Sequence, residues 1–183
     1  MKSIYLYLAC LLSISLFACQ GNGRYPDAQQ GKLIASASAY EFIDIDGTRH
    51  LLKDMKGAYK ILVFYDSEAE ESLRLIAAMK QSVPLAKGIA SGKVNVVAIC
   101  VNGDLSQWNT YRKHIPSQWI NGFDLKGESG VESYFILPSF PRLVLLNDAN
   151  EEVKTAVGLD ALIPFLEKSI YPRHGAKILQ QLD

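Results

Sequence analysis

The stretch ILVFYDSEAEESLRLI, residues 61–76, joins two different hydrophobic patterns. A continuous apolar run through Tyr65 predicts a buried central strand. From Ser67 to about Lys80 the pattern changes to the three-to-four spacing of an amphipathic helix. Ser67 and Glu70 match a capping box, which predicts that Ser67 caps this helix. The apolar residues that define the helix are Leu73, Ile76, Ala77 and Met79. The segment therefore predicts a strand, a turn and a helix with an acidic first turn.

The rest of the chain continues to alternate between strand and helix patterns. Pro84 is expected to kink or end the first helix, and further helices are predicted after Asp104 and Asp160, both as N-caps. Residues 117–133 show no clear period and predict a loop-rich connection. Further strands are predicted at 40–45, 49–52, 94–101, 142–146 and 151–157. This order predicts an α/β sandwich in which helices flank a central mixed β-sheet, with an added N-terminal β-hairpin.

The composition fits one folded domain with appendages. The chain has 183 residues, of which 49% are hydrophobic and 21% charged, and its formal net charge is +0. Such a chain can bury a core, and its length suits a single domain. A nucleic-acid-binding protein would usually show a basic patch or a high pI. No nucleic-acid partner is therefore expected.

The N-terminus has the pattern of a targeting segment. Residues 1–18 contain one charge, Lys2, followed by an apolar run, and are interpreted as a lipoprotein signal peptide. The run ends in Leu-Phe-Ala-Cys at Cys19, which resembles the bacterial lipobox. In that motif the cysteine is lipidated and becomes the new N-terminus. The alternative is an ordinary signal peptide followed by a chance cysteine.

The segment after Cys19 separates this motif from the domain. Residues 19–38 are rich in Gly, Gln, Ser and Ala and predict a flexible tether, and 39–183 form the predicted domain. Acyl chains on Cys19 would hold the protein to a membrane. Gln20, rather than aspartate, follows the cysteine, and resemblance to known sorting rules then favours the outer membrane. The expected location is therefore the bacterial cell envelope, with a lipid anchor.

Cysteine usage limits the possible redox chemistry. The chain has three cysteines, Cys10, Cys19 and Cys100. The first would leave with the signal peptide and the second would carry lipid, so only Cys100 remains as a thiol. Cys100 lies in the apolar run VNVVAICV and is interpreted as a buried, inert core residue. The alternative interpretation is a reactive lone thiol.

Several segments, taken in order, resemble the thioredoxin superfamily, and most closely its TlpA-like envelope subgroup. They are a turn at Asp46-Gly47 leading to Gly57, an apolar strand followed by the turn at 66–72, and Pro141 before the strand 142–146. The resemblance implies a thioredoxin-like sandwich over 39–183. It also implies that Pro141 occupies the position of the family's cis-proline.

The chain departs from the family at the position of its chemistry. Where active members have Cys-x-x-Cys, this sequence has Ala69 and Ser72. Thiol–disulfide exchange needs an attacking and a resolving thiol. The resemblance therefore implies a redox-inactive member with no catalytic residue at these positions. No cofactor or metal site is expected, because the three histidines lack metal-ligand spacing.

The family resemblance also implies a surface for extended peptides, formed by the turn and the cis-proline loop. Its candidate residues are Tyr65, Asp66, Phe140 and Pro141. Trp108 or Trp119 could add to it, or both could be core residues.

The leading hypothesis is a redox-inactive envelope lipoprotein that binds a protein or peptide. One alternative is an envelope enzyme, using Cys100 or non-redox chemistry at the acidic turn 68–71, although that turn also reads as a solvated helix start. Another alternative is a packing subunit of a larger assembly.

Overall fold

A single mixed β-sheet forms the centre of the computed structural model, which describes residues 36–124 and 130–169. The sheet has seven strands in the order β2-β1-β5-β4-β3-β6-β7. The central strands β3, β4 and β5 are parallel, while β1, β2, β6 and β7 pair in antiparallel fashion. The strands are β1 Glu41–Ile43, β2 Arg49–Leu51, β3 Tyr59–Asp66, β4 Val94–Asn102, β5 Ile120–Asp124, β6 Arg142–Asn147 and β7 Glu152–Ala156. The predicted fold class is confirmed.

Helices cover both faces of this sheet. They are α1 Glu70–Gln81, α2 Val83–Ala90, α3 Leu105–Tyr111, α4 Val131–Tyr134 and α5 Ile163–Ser169. Successive residues of a strand point to opposite faces. Ile61, Val63 and Tyr65 of β3 therefore join one apolar cluster, which also contains residues of α1, α2, α3 and α5. Leu62 and Phe64 join a second cluster on the other face, beneath α4 and the N-terminal segment.

The domain begins earlier than the sequence predicts. Residues 37–39 form a short 3₁₀ helix, and Ala37 and Tyr40 are fully buried. The Ser38 hydroxyl accepts a hydrogen bond from Asn150 Nδ2 at 3.1 Å. Residues 36–38 thus belong to the folded domain rather than to the predicted tether. The predicted signal peptide, Cys19, the rest of the predicted tether and residues 170–183 lie outside the described residues.

Two of the predicted helix caps are wrong. Helix α1 begins at Glu70 with Ala69 as its N-cap, and no side chain caps it. Ser67 lies in the turn before the helix, and its buried hydroxyl makes no hydrogen bond within the described residues. Asp160 lies in a 3₁₀ turn, and α5 begins only at Ile163.

The cap at Asp104 is confirmed. Its Oδ1 accepts a hydrogen bond from the Gln107 N–H at 2.8 Å, and Gln107 Oε1 accepts one from the Asp104 N–H at 2.9 Å. This pair satisfies two of the free N–H groups at the start of α3.

The predicted loop at 117–133 contains a strand of the central sheet. Strand β5 has the sequence INGFD, whose Asn and Gly are rare in strands. Gly122 is required there by packing, because a Cβ at this position would lie 2.4 Å from Cδ2 of the Phe42 ring. Pro84 is likewise part of a new helix, since α2 begins at Val83. Helix α1 is rotated from its predicted phase, so Leu73 is 41% exposed.

Within residues 36–124 and 130–169, no helix is long and apolar enough to cross a membrane.

Candidate functional site

The turn between β3 and α1 is held by its own side chains. The Asp66 N–H donates a hydrogen bond to Ser72 Oγ at 3.1 Å, and Asp66 Oδ1 accepts one from the Glu68 N–H at 2.8 Å. Ser72 is fully buried, whereas Ala69 is half-buried at the helix N-cap. The Ser72 N–H donates to the Ala69 carbonyl at 3.0 Å. Ser72 therefore closes the turn with its hydroxyl group.

A second set of hydrogen bonds ties this turn to the loop between β4 and α3. Asp66 Oδ2 accepts a hydrogen bond from Asn102 Nδ2 at 2.9 Å. Glu68 Oε1 accepts one from Gln107 Nε2 at 2.7 Å. Gly103, between them, has a φ of +90°, and a Cβ there would lie 2.5 Å from Gln107 Oε1. The loop therefore needs glycine for its backbone conformation and for space.

The acidic residues of the turn do not converge on one point. Glu68 reaches across to α3, whereas Glu70 and Glu71 lie 3.7 and 3.3 Å from Arg74 on the helix surface. A hard-cation site needs several oxygen ligands directed at one centre. In the described part of the chain, no group of three or more His, Cys, Asp or Glu residues is arranged to hold a metal ion.

The segment before β6 lies beside the turn. In the antiparallel pairing of β3 with β6, Phe64 is opposite Arg142, so Tyr65 and Pro141 are the next residues beyond that pair. The Phe140–Pro141 peptide bond is cis. Pro141 is buried, and Phe140 is half-buried. The structure thus brings Asp66, Phe140 and Pro141 to the same end of the sheet.

Arg142, which follows, is 5% exposed and donates from Nη2 to Ser139 Oγ at 2.8 Å. Burial lowers the pKa of its guanidinium.

A cleft of about 330 Å³ opens at this end of the sheet. It is lined by Val101, Asn102, Asp124, Gly130, Val131, Glu132 and Phe140. Asn102 connects the cleft to the turn, because its side chain also donates to Asp66. Asp124 is buried and accepts hydrogen bonds from the Tyr40 hydroxyl at 2.6 Å and the Val131 N–H at 2.9 Å. Burial and the nearby Asp124 carboxylate raise the pKa of Tyr40 well above its usual value.

Solved structures with the same architecture identify the fold. A thioredoxin-like protein from Bacteroides caccae has a TM-score of 0.66 and 22% identity, over 71% of this chain and 47% of that chain. The thioredoxin domain of a thiol-disulfide oxidoreductase from Bacteroides vulgatus has a TM-score of 0.63 and 19% identity, over 75% of this chain and 96% of that chain. The fold is thioredoxin-like.

A thiol:disulfide interchange protein from a Bacteroides species is similar as well, with a TM-score of 0.61 and 20% identity, over 80% of this chain and 95% of that chain. This chain therefore spans less than half of the Bacteroides caccae protein but nearly all of the other two. No protein-family model matches the sequence, and no curated protein matches it.

Tyr65 is not part of an accessible face of this thioredoxin-like domain. It is fully buried, its ring stacks on Tyr111 with centroids 5.2 Å apart, and its hydroxyl donates to Asn121 Oδ1 at 3.5 Å. Burial raises the pKa of its hydroxyl. The prediction that Tyr65 lines a binding face is therefore wrong. Pro141 lies at the site but is buried as well, so Asp66 and Phe140 are the predicted residues that keep exposed surface there.

Both tryptophans are also core residues. Trp108 is 2% exposed and Trp119 is 6% exposed. The Trp108 indole N–H donates to Asn121 Oδ1 at 3.2 Å, the same oxygen that Tyr65 approaches. The sequence pattern does not single out Asn121, since it lies in β5, within the segment 117–133 predicted as a loop. Its polar side chain is what orients these two buried rings beneath the turn.

Cys100 lies below the turn rather than in it. It is fully buried beside Tyr65 in the sheet, and its thiol donates to the Asn102 carbonyl at 3.0 Å. Burial raises the pKa of this thiol. The predicted burial of Cys100 in the core is confirmed. A protonated, inaccessible thiol is a poor nucleophile.

We expect Cys100 to resist alkylation in the native protein. Incubation with N-ethylmaleimide should leave the Cys100 peptide unmodified in native buffer and fully modified in denaturant, as read by mass spectrometry. Ser106→Cys is the matched control, because residue 106 is exposed on α3. That introduced thiol should react at least tenfold faster than Cys100. Equal rates in the native protein would mean that Cys100 is accessible.

Proposed function

We propose that this protein is a redox-inactive, TlpA-like member of the thioredoxin superfamily that binds a protein or peptide in the bacterial cell envelope. One observation carries the proposal. The active-site turn of the fold is kept and hydrogen-bonded, but a buried Ser72 and an N-cap Ala69 stand where exchange chemistry would need thiols. A turn kept without its thiols is better explained by a binding role than by exchange.

The position of the one remaining thiol supports the proposed redox inactivity. A helix N-terminus lowers the pKa of a cysteine placed there, because its free N–H groups stabilise a thiolate. No cysteine occupies the N-terminus of α1, and Cys100 has a raised pKa in the core. An enzyme that uses Cys100 is therefore less well supported. An enzyme that uses non-redox chemistry at residues 68–71 is also less well supported, because the glutamate side chains of this turn do not converge on one point.

The binding role rests on surface features near the turn. Phe140 is half-buried, so part of its ring can contact a partner, and it lines a cleft together with Asn102. Apolar contacts of this kind, flanked by polar groups, are typical of sites that recognise extended segments. Asp66 lies next to this cleft, because its side chain accepts a hydrogen bond from Asn102, and Ala69 is the N-cap of the helix that follows the turn.

The envelope location is part of the proposal and rests on sequence. Lipidation of Cys19 would attach the chain to a membrane, and Gln20 favours the outer membrane. The partners proposed are this membrane, through the acyl chains, and an envelope protein or peptide at the turn.

We expect a photo-reactive amino acid at Ala69 to capture a discrete partner in cells. The matched control is the same substitution at Ala149, an exposed alanine of the β6–β7 turn at the far end of β3. An adduct from Ala69 and none from Ala149 supports the proposed face. Adding Phe140→Ala to the Ala69 variant should reduce adduct yield several-fold without altering the circular dichroism spectrum. An adduct from Ala149 alone would contradict the proposal.

A further inference from the structure

We infer that a second cleft, apart from the turn, binds a small organic anion that has a carboxylate group and an apolar body. This cleft lies between the β1–β2 hairpin and the segment that joins α3 to β5. Charged and aromatic side chains line it, among them Asp44, His50, Arg112, Lys113 and Trp119. We call it the hairpin cleft.

The hairpin cleft is separate from the turn and from the cleft beside Phe140. Ile120, the first residue of β5, lines it. Through the pairings of β4, Ile120 lies level with Leu62, four residues before the Asp66 that ends β3. Its volume is about 670 Å³, within the roughly 300–1,000 Å³ typical of small-molecule sites. The inference therefore does not depend on the function proposed for the turn.

Two cations of the hairpin cleft have no partner within residues 36–124 and 130–169. Arg112 is half-buried and Lys113 is exposed, both in the 3₁₀ turn that follows α3. Neither side chain forms an ion pair or a hydrogen bond with the described residues. A guanidinium group has the planar geometry that a carboxylate matches with two parallel hydrogen bonds. The pair of cations therefore favours an oxyanion as ligand.

The one carboxylate among the described lining residues is already hydrogen-bonded. Asp44 Oδ1 accepts hydrogen bonds from the N–H groups of Asp46 and Thr48, each at 2.9 Å. Asp44 Oδ2 lies 2.6 Å from His50 Nε2. This hydrogen bond with His50 is the main cause that lowers the pKa of Asp44, so Asp44 is ionised at neutral pH and His50 Nε2 is the donor. Asp44 therefore leaves the cations of the cleft available to a ligand.

Apolar side chains form much of the remaining lining and indicate an apolar ligand body. Trp119 and Ile115 are buried core residues that line the cleft, and Ile45 at the hairpin is exposed. An inorganic anion would leave this apolar surface in contact with water. A carboxylate with an apolar body would cover it while it binds the cations, and removing apolar surface from water is favourable. The combination therefore favours an organic anion over an inorganic one.

The test is a titration with 4-phenylbutyrate, which joins a carboxylate to an apolar ring, and with its uncharged analogue 4-phenylbutan-1-ol. The full chain is purified in detergent and labelled with nitrogen-15, and the NMR signal of the Trp119 indole N–H is followed. We expect a saturable shift with 4-phenylbutyrate and at least tenfold weaker binding of the alcohol. A shift that does not saturate, or equal binding of the alcohol, would overturn the inference.

Matched substitutions test whether the two cations hold the anion. Arg112→Gln should raise the dissociation constant of 4-phenylbutyrate at least fivefold, and Lys113→Gln at least threefold. Lys87→Gln is the control, because it removes one positive charge from the exposed surface of α2, outside the cleft, and should change the constant less than twofold. Circular dichroism verifies that each variant is folded. Unchanged binding by folded Arg112→Gln would overturn the inference, as would an equal saturable shift with inorganic phosphate.

Discussion

Introducing two thiols at the turn, through Ala69→Cys and Ser72→Cys together, should give this protein disulfide reductase activity. The Ser72 N–H already donates to the Ala69 carbonyl at 3.0 Å, so the two side chains stand on one helical turn. Residues three apart on a helix have Cβ atoms roughly 5–6 Å apart, close enough for small adjustments to form a disulfide. The thiol at residue 69 would lie at the N-terminus of α1, where its pKa should fall below the usual value.

The measurement is reduction of insulin by dithiothreitol in the presence of each variant. We expect the double variant to exceed the parent protein by at least tenfold. The single variants Ala69→Cys and Ser72→Cys are the controls, since each lacks the second thiol and should stay near the parent rate. Replacing Ser72 also weakens its bond to the Asp66 N–H, at an expected cost of about 1 kcal/mol. A folded double variant with parent activity would show that the turn cannot support exchange.

The strand, turn and helix around 61–76 could be predicted from sequence because each has a strong local pattern. The five-residue run 61–65 before the turn is apolar throughout, and the helix that follows has a clear period. Because this run shows no apolar–polar alternation, the sequence does not indicate to which side the Tyr65 side chain points. In a strand buried on both faces, every side chain is apolar, so alternation cannot show which residues face the turn and which face the core.

Strand β5 could not be predicted for a different reason. Its Gly122 is required by the approach of Phe42 from β1, a contact between segments far apart in sequence. Asn121 likewise gains its role only when Tyr65 and Trp108 converge on its side chain. By local propensity, asparagine and glycine favour loops over strands. In β5, tertiary packing overrides that propensity.

At the start of α1, the tertiary structure again overrides a local sequence signal. Ser67 and Glu70 have the spacing of a capping box, yet Ser67 lies in the turn before the helix and its buried hydroxyl makes no hydrogen bond within the described residues. Asp66 instead caps the turn by accepting from the Glu68 N–H. The local motif therefore predicts the helix correctly but misplaces its first residue.

Trp108→Ala should cause the largest loss of stability of any single substitution near the site, about 3–5 kcal/mol. Trp108 is 2% exposed, its ring packs 5.5 Å from that of Phe123, and its indole N–H bonds to Asn121. Its removal leaves a cavity and deprives Asn121 Oδ1 of its shorter hydrogen bond. Domains of this size have a total free energy of unfolding of roughly 5–15 kcal/mol. The measurement is the urea unfolding midpoint followed by circular dichroism.

Leu105→Ala on the same helix is the matched control, because Leu105 is 51% exposed. Its expected effect is within about 0.5 kcal/mol. The comparison also separates the two roles considered for Trp108. If the tryptophan were a peptide anchor, its loss would reduce partner capture from Ala69 with little change in unfolding. Trp108 is instead a core residue beneath the turn. Its loss should therefore lower the free energy of unfolding. Capture from Ala69 should decrease only in proportion to the fraction of protein that is unfolded.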